Sequence, residues 1–217
     1  MLKFYHIPLS FNSRRVWITL LEKELPFEEV IINLGESAHL KPEFLAINPF
    51  QRIPVLEDDG FRMVESLAIL DYLEAKYPTP GMLPTSAKAL TTVRMVQLVT
   101  ANELLPKLLT FMSESEDSPK FARVKHEIHQ TLIFLTEQLD DTPYFGSQQL
   151  TLADIVAGTV VPLLPMFGIP LSDYSKLNDW CDRLMSRPVF RQTEVKAEYV
   201  DLIKQTIKKN VRYRPDC

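Results

Sequence analysis

An α/β domain followed by an all-helical domain is the fold this chain predicts, on three observations. The first 77 residues alternate short strand patterns with helical ones, residues 78–84 hold three prolines and a glycine, and from residue 86 strand patterns give way to long helical periodicity. The proline-rich stretch cannot continue a helix and makes a stiff connector. The expected division is residues 1–77, a linker at 78–85, and a helical domain at 86–217.

Residues 2–6 alternate apolar and polar side chains and read as a strand. A turn through Pro8, Ser10 and Ser13 leads into a helix over 14–24, with Val16, Trp17, Leu20 and Leu21 as its buried stripe, stopped by Pro26. Residues 27–32 form the next strand, and strand-helix-strand predicts a parallel pair with a right-handed crossover. The apolar runs at 53–56 and 61–64 flank the acidic turn Glu57-Asp58-Asp59-Gly60 and predict a β-hairpin. Pro54 cannot donate a ladder hydrogen bond, which puts it on an edge or in a special turn, a cis bond included. Ser66 is placed to cap the helix that follows, where Leu67, Leu70, Leu73 and Tyr77 recur at helical spacing.

Five helices are expected beyond the linker, near 87–112, 119–139, 152–162, 175–186 and 189–208, with loops at 143–149 and 165–173. Pro106 predicts a kink in the first of them. Thr151 and Asp154 are spaced as a capping box, which makes Asp154 a structural residue. His126 and His129 have no third ligand in view and read as a solvated helix face; no metal is expected.

Composition narrows the function. A chain 46% hydrophobic and 24% charged is ordinary for a globular protein, and its net charge of −4 argues against a nucleic-acid partner. The two cysteines, Cys181 and Cys217, are too few for a disulfide framework and suit a reducing cytosol. No apolar run has the length of a signal peptide or a membrane span, so a soluble, cytoplasmic protein is expected. The proline-broken edge strand and nearby helix start present bare amides and a positive dipole end, a combination suited to an anionic peptide.

Several pieces in order and at matching spacing resemble cytosolic glutathione transferases over nearly the whole chain. They are the turn into Arg14-Arg15-Val16, Pro42-Glu43-Phe44-Leu45 followed by Asn48-Pro49, Ile53-Pro54-Val55-Leu56, Glu65-Ser66 opening a helix, and Leu152-Ala153-Asp154. The resemblance implies a thioredoxin-like domain followed by the family's all-α domain. The spacing is similar to the serine-type classes, phi, tau and theta-like bacterial ones, and maps their catalytic serine onto Ser10. In those classes the hydroxyl donates to the sulfur of glutathione and favours its thiolate. Ser13 and Tyr5 stand beside Ser10 as alternative hydroxyls.

Thiolate, not thiol, is the nucleophile, and lowering a thiol pKa of about 8.5 by about two units requires roughly 2.7 kcal/mol. One hydroxyl bond to a charged group supplies about 1.5–3 kcal/mol, and a helix start adds about 0.3–1 kcal/mol.

The resemblance further implies that Ile53, before Pro54, pairs through its backbone with the cysteinyl part of the tripeptide. Glu65 and Ser66 hold the γ-glutamyl end, and His39 and Arg52 serve the glycine carboxylate. Gln51-Arg52 departs from the family pattern, which has a glycine there. An electrophile is expected between the domains, with Leu105, Leu109, Phe111, Met112, Met166 and Phe167 as an apolar wall and Tyr213 as a cover. The implied protein is a homodimer that conjugates glutathione to small apolar electrophiles in detoxification, or reduces organic hydroperoxides, with glutathione as co-substrate and no cofactor. A non-catalytic binding module and a glutathione-dependent isomerase or lyase are the other readings.

Overall fold

The computed structural model describes residues 1–33 and 41–212. Two units emerge: Met1–Met82 together with Pro188–Thr193, and the rest of the chain from Leu83.

In the first unit, strand β1 (Leu2–His6) is followed by helix α1 (Phe11–Glu22), β2 (Phe27–Ile31), a short α2 (Pro42–Leu45), β3 (Val55–Asp58), β4 (Phe61–Met63) and α3 (Ser66–Lys76). The strands form one mixed sheet in the order β2-β1-β3-β4, with β1 and β2 parallel and the other pairs antiparallel. Alternation along β1 separates two apolar layers. Leu2 and Phe4 join Val16, Leu20, Leu56, Met63, Ile69 and Leu73 on one side, while Tyr5 packs with Phe44 and Val55 on the other.

The expected hairpin is present with a tighter turn. The ladder runs to Asp58 opposite Phe61, so only Asp59 (φ 48°) and Gly60 (φ 89°) reverse the chain, both in the left-handed region that two-residue hairpins favour.

Helix α1 begins three residues before the expected start, because Ser10 caps it. It ends at Glu22, with Glu24 left-handed at φ 53° ahead of Pro26. Its buried face also differs from the expected stripe. Trp17 and Leu21 are only half-buried, while Arg14 and Arg15 are buried almost completely. Arg14 Nε donates to the carbonyl of Thr193 at 2.9 Å, fastening the segment Pro188–Thr193 to α1. At the far end of α1, buried Lys23 donates to the carbonyls of Tyr77 and Pro80, each at 2.7 Å, and pairs with Glu74 at 2.7 Å. Glu74 in turn accepts from the Met82 amide at 2.8 Å, so one ion pair holds the start of the proline-rich connector.

The second unit opens with α4 (Ala87–Val99), which runs through a π-helical stretch, Thr100–Leu104, into α5 (Leu105–Ser113). The π stretch is how the helix accommodates Pro106: widening the turn relieves the clash of the ring with the carbonyl four residues back. Helix α6 (Pro119–Gln138) packs on α5, with Phe111 and Phe121 stacked at 4.5 Å. Helix α7 (Leu152–Gly158) is shorter than expected and yields to a 3₁₀ helix, Val161–Phe167, which spans the end of the expected helix and the first residues of the stretch read as loop. Prolines at 162 and 165 withhold the amides an α-helix would need there.

After α8 (Ser175–Met185), the helix expected over 189–208 is two helices, α9 (Pro188–Gln192) and α10 (Val200–Arg212), with a 3₁₀ turn at Ala197–Tyr199. The break falls where Thr193 leaves the first unit. Its hydroxyl donates to the Val189 carbonyl at 3.0 Å while its own carbonyl accepts from Arg14.

Candidate active site

Ser10 closes the turn that leaves β1, its amide donating to the Ile7 carbonyl at 3.0 Å. With extended backbone it is the N-cap of α1, and its Oγ accepts from the Ser13 amide at 3.3 Å. That contact uses an oxygen lone pair and leaves the hydroxyl proton to donate elsewhere. The side chain is half-buried at the positive end of a 12-residue helix. Ser13, one of the two alternative hydroxyls, is fully buried, with its Oγ accepting from the Ile7 amide at 3.4 Å. Tyr5 is buried in the layer with Phe44 and Val55.

Next along the chain comes the loop before β3. Buried Asn48 stitches it: Oδ1 accepts from the Phe50 amide at 3.0 Å and Nδ2 donates to the Arg52 carbonyl at 2.7 Å. Gln51 sits at φ 58°, so the position where the resemblance expects a glycine keeps a glycine-like conformation without one. For a residue with a Cβ that conformation costs about 1–2 kcal/mol. Arg52 is exposed and Ile53 half-buried, and the Ile53–Pro54 bond is cis. Ile53 lies beyond the β1 ladder, which ends at Tyr5 opposite Val55.

At the start of α3 the expected cap is corrected. Glu65, not Ser66, occupies the N-cap position, at φ 68° and with no side-chain hydrogen bond to the first turn. Ser66 is the first helical residue, so its hydroxyl is turned to a different partner and accepts from Arg15 Nη1 at 3.3 Å. Arg15 therefore links the helix that Ser10 caps to the helix that Glu65 precedes. Burial alone lowers its pKa to about 10, which leaves it charged at neutral pH. The Arg-Arg pair gave no sign of this in the sequence, since arginines are ordinarily exposed.

His6 is a second residue that the sequence reading missed. It is fully buried, stacked on Phe4 at 4.2 Å, with Nε2 held by Glu29 at 2.7 Å; burial pushes its pKa below the usual histidine value, against the pull of Glu29.

His39 and Tyr213 lie outside the described residues. Of the apolar candidates, Leu105, Phe111, Met112 and Phe167 are buried within the second unit, while Leu109 and Met166 are half-buried. Among the described residues no cluster of three or more histidine, cysteine or carboxylate side chains is arranged to hold a metal ion. Nor is any helix among them long and apolar enough to cross a membrane. His129 is exposed and bonded to the Tyr174 hydroxyl.

A mixed sheet carrying a serine-capped helix and a cis-proline, joined to a helical unit, is the arrangement the resemblance implies. The glutathione S-transferase N-terminal domain profile matches residues 4–81, and the C-terminal domain profile matches residues 99–188. Glutathione S-transferase 3 of Zea mays is 30% identical over 206 residues, covering 88% of this chain and 92% of that protein. The chain belongs to the glutathione S-transferase family. Maleylacetoacetate isomerase of Pseudomonas aeruginosa is also similar, 27% identical over 200 residues, covering 88% of this chain and 94% of that protein. Among solved structures, a glutathione transferase homolog from Sulfitobacter with bound glutathione has 26% identity and a TM-score of 0.77, covering 88% of this chain and 97% of that one. The transferase is thus an enzyme of the family's two-domain fold, serine-type in its resemblance.

Proposed function

We propose that this glutathione transferase binds glutathione on its first 77 residues and activates it through Ser10 for attack on small apolar electrophiles. The observation that carries the reading is the state of the Ser10 hydroxyl: half-buried, its oxygen engaged by the Ser13 amide, its proton available to a sulfur. Donation to the thiolate and the positive end of α1 act on the same atom. The thiolate attacks the electrophilic carbon, forming a carbon–sulfur bond and expelling the leaving group. Alternatively it attacks the terminal oxygen of an organic hydroperoxide, breaking the O–O bond to release the alcohol and leave a glutathione sulfenic acid that a second glutathione converts to the disulfide and water. Backbone groups of Ile53 bind the cysteinyl part, Glu65 and Ser66 take the γ-glutamyl ammonium and carboxylate, and His39 and Arg52 serve the glycine end.

Residues 86–217 supply the electrophile wall, with Leu109 and Met166 the more accessible of its named members and Tyr213 as its cover. We assign the protein to a homodimer in the cytoplasm, with a detoxifying role, no resident cofactor and no nucleic-acid partner. The Sulfitobacter homolog with bound glutathione supports the choice of co-substrate.

The experiment is an ultraviolet difference titration of the thiolate of bound glutathione, on wild type and Ser10→Ala. A thiol pKa about two units below that of free glutathione in wild type, and near the free value in the variant, is the expected result. An unshifted thiol pKa in wild type, or an equal shift in the variant, removes Ser10 from the mechanism. Similarity to a maleylacetoacetate isomerase favours a second reading, in which the same thiolate serves a glutathione-dependent isomerase. Turnover of maleylacetoacetate exceeding that of a general electrophile would select it.

A further inference from the structure

Arg15 is 2% exposed, and beyond its bond to Ser66 its buried Nε and Nη2 meet no partner among the described residues. Ions taken out of water are ordinarily matched by a counter-charge or by saturated hydrogen bonding, because desolvation otherwise costs several kcal/mol. Here neither is met. The anchor of this cation among the described residues stands on the first residue of the 11-residue helix α3, whose N-cap contributes no side-chain bond to the first turn. A helix start without a side-chain cap, a hydroxyl and a buried, incompletely bonded cation therefore converge on one spot.

We infer that Arg15 is a positioning residue for the anionic γ-glutamyl end of glutathione. By donating to Ser66 Oγ it takes up an acceptor site of that hydroxyl, so the Ser66 proton is kept for an anion on the outer side. A hydroxyl that accepts from a cation is also the stronger donor. The carboxylate that Ser66 receives then supplies the counter-charge the guanidinium lacks, at a distance of one hydroxyl group. Glutathione binding and compensation of a buried charge become the same event. This inference rests on the glutathione reading above and extends it to a residue the ligand does not touch.

The test compares two ligands by calorimetric titration: glutathione, and its analogue γ-aminobutyryl-cysteinyl-glycine, which lacks the γ-glutamyl α-carboxylate. Arg15→Met is expected to weaken glutathione about 10- to 100-fold, the range for a hydrogen bond to a charged group, and to leave the analogue's affinity unchanged. Arg15→Lys, which keeps the charge, is expected to recover part of the loss.

Equal loss for both ligands would make Arg15 a packing residue and overturn the inference, as would no loss for either. Should Arg15→Met fail to fold, Arg15→Lys and Arg15→Gln carry the test: each must narrow the gap between glutathione and the analogue, and an unchanged gap overturns the inference alone. Wild type that binds neither ligand removes the glutathione reading itself, a result distinct from any of these.

Discussion

Two helix starts in this molecule are built in opposite ways. At α7 every acceptor is used: the Asp154 carboxylate accepts from the amides of Thr151 and Phe145, the Thr151 hydroxyl and the Trp180 indole, at 2.6 to 3.1 Å. At α3 the N-cap residue stands in a left-handed conformation without a side-chain bond, and the nearby buried charge has a single hydrogen-bond partner among the described residues. A buried ion enclosed by donors holds a fold together, whereas one left short of partners is set up for something that arrives later.

The sharpest way to break the comparison is to empty the satisfied end. Asp154→Ala strands the Trp180 indole and three further donors in a dry interior and is expected to destabilise the protein by about 3–5 kcal/mol, read from denaturant unfolding. Glutathione affinity per folded molecule should hold. A variant as stable as wild type would show that the α7 start carries no such weight.

The same carboxylate predicts a pH dependence. Burial raises its pKa from 3.8 to about 6, with the four hydrogen bonds opposing the shift. A carboxyl whose folded pKa is raised binds more protons folded than unfolded, so its contribution is fully present below pH 3.8 and is lost as pH rises through about 6. Two units correspond to roughly 3 kcal/mol. Asp154→Asn lacks the titration, so the stability gap between it and wild type should move in the variant's favour across that window. A gap independent of pH would contradict the assigned cause.

The smallest effect belongs to the loop before β3. Replacing Gln51, at φ 58°, with glycine removes the Cβ strain but loosens the unfolded chain. A net stabilisation of up to about 1 kcal/mol is expected by thermal unfolding. Weaker glutathione binding in that variant would mean that the glutamine side chain, rather than the loop shape alone, serves the site.

Much of the fold was legible because its signals are local. Alternation at residues 2–6, the turn at Asp59-Gly60 and the Thr151–Asp154 spacing each state their structure within a few residues. What escaped was set by partners distant in sequence. Nothing near Arg15 announces that it will be buried against Ser66, and Ser66 passes for a cap until Glu65 takes that place at φ 68°. Periodicity through 189–208 ignored Arg14, whose bond to the Thr193 carbonyl helps end the first helical piece. Ser10 was legible as a turn residue, but its place as the N-cap of α1 follows only from knowing that the helix begins at Phe11.

The attachment of Pro188–Thr193 to α1 also sets a schedule for synthesis. Helix α1 is made among the first residues of the chain, yet its Arg14 waits for an acceptor carried by Thr193. A nascent chain that has reached the connector has the four described strands but not this latch. The first unit is therefore completed only after most of the second has been translated, and a fragment cut at the connector would carry a buried arginine missing one of its native acceptors. Order of translation and order of completion run in opposite directions here, which makes the two halves dependent partners from birth rather than modules joined in series.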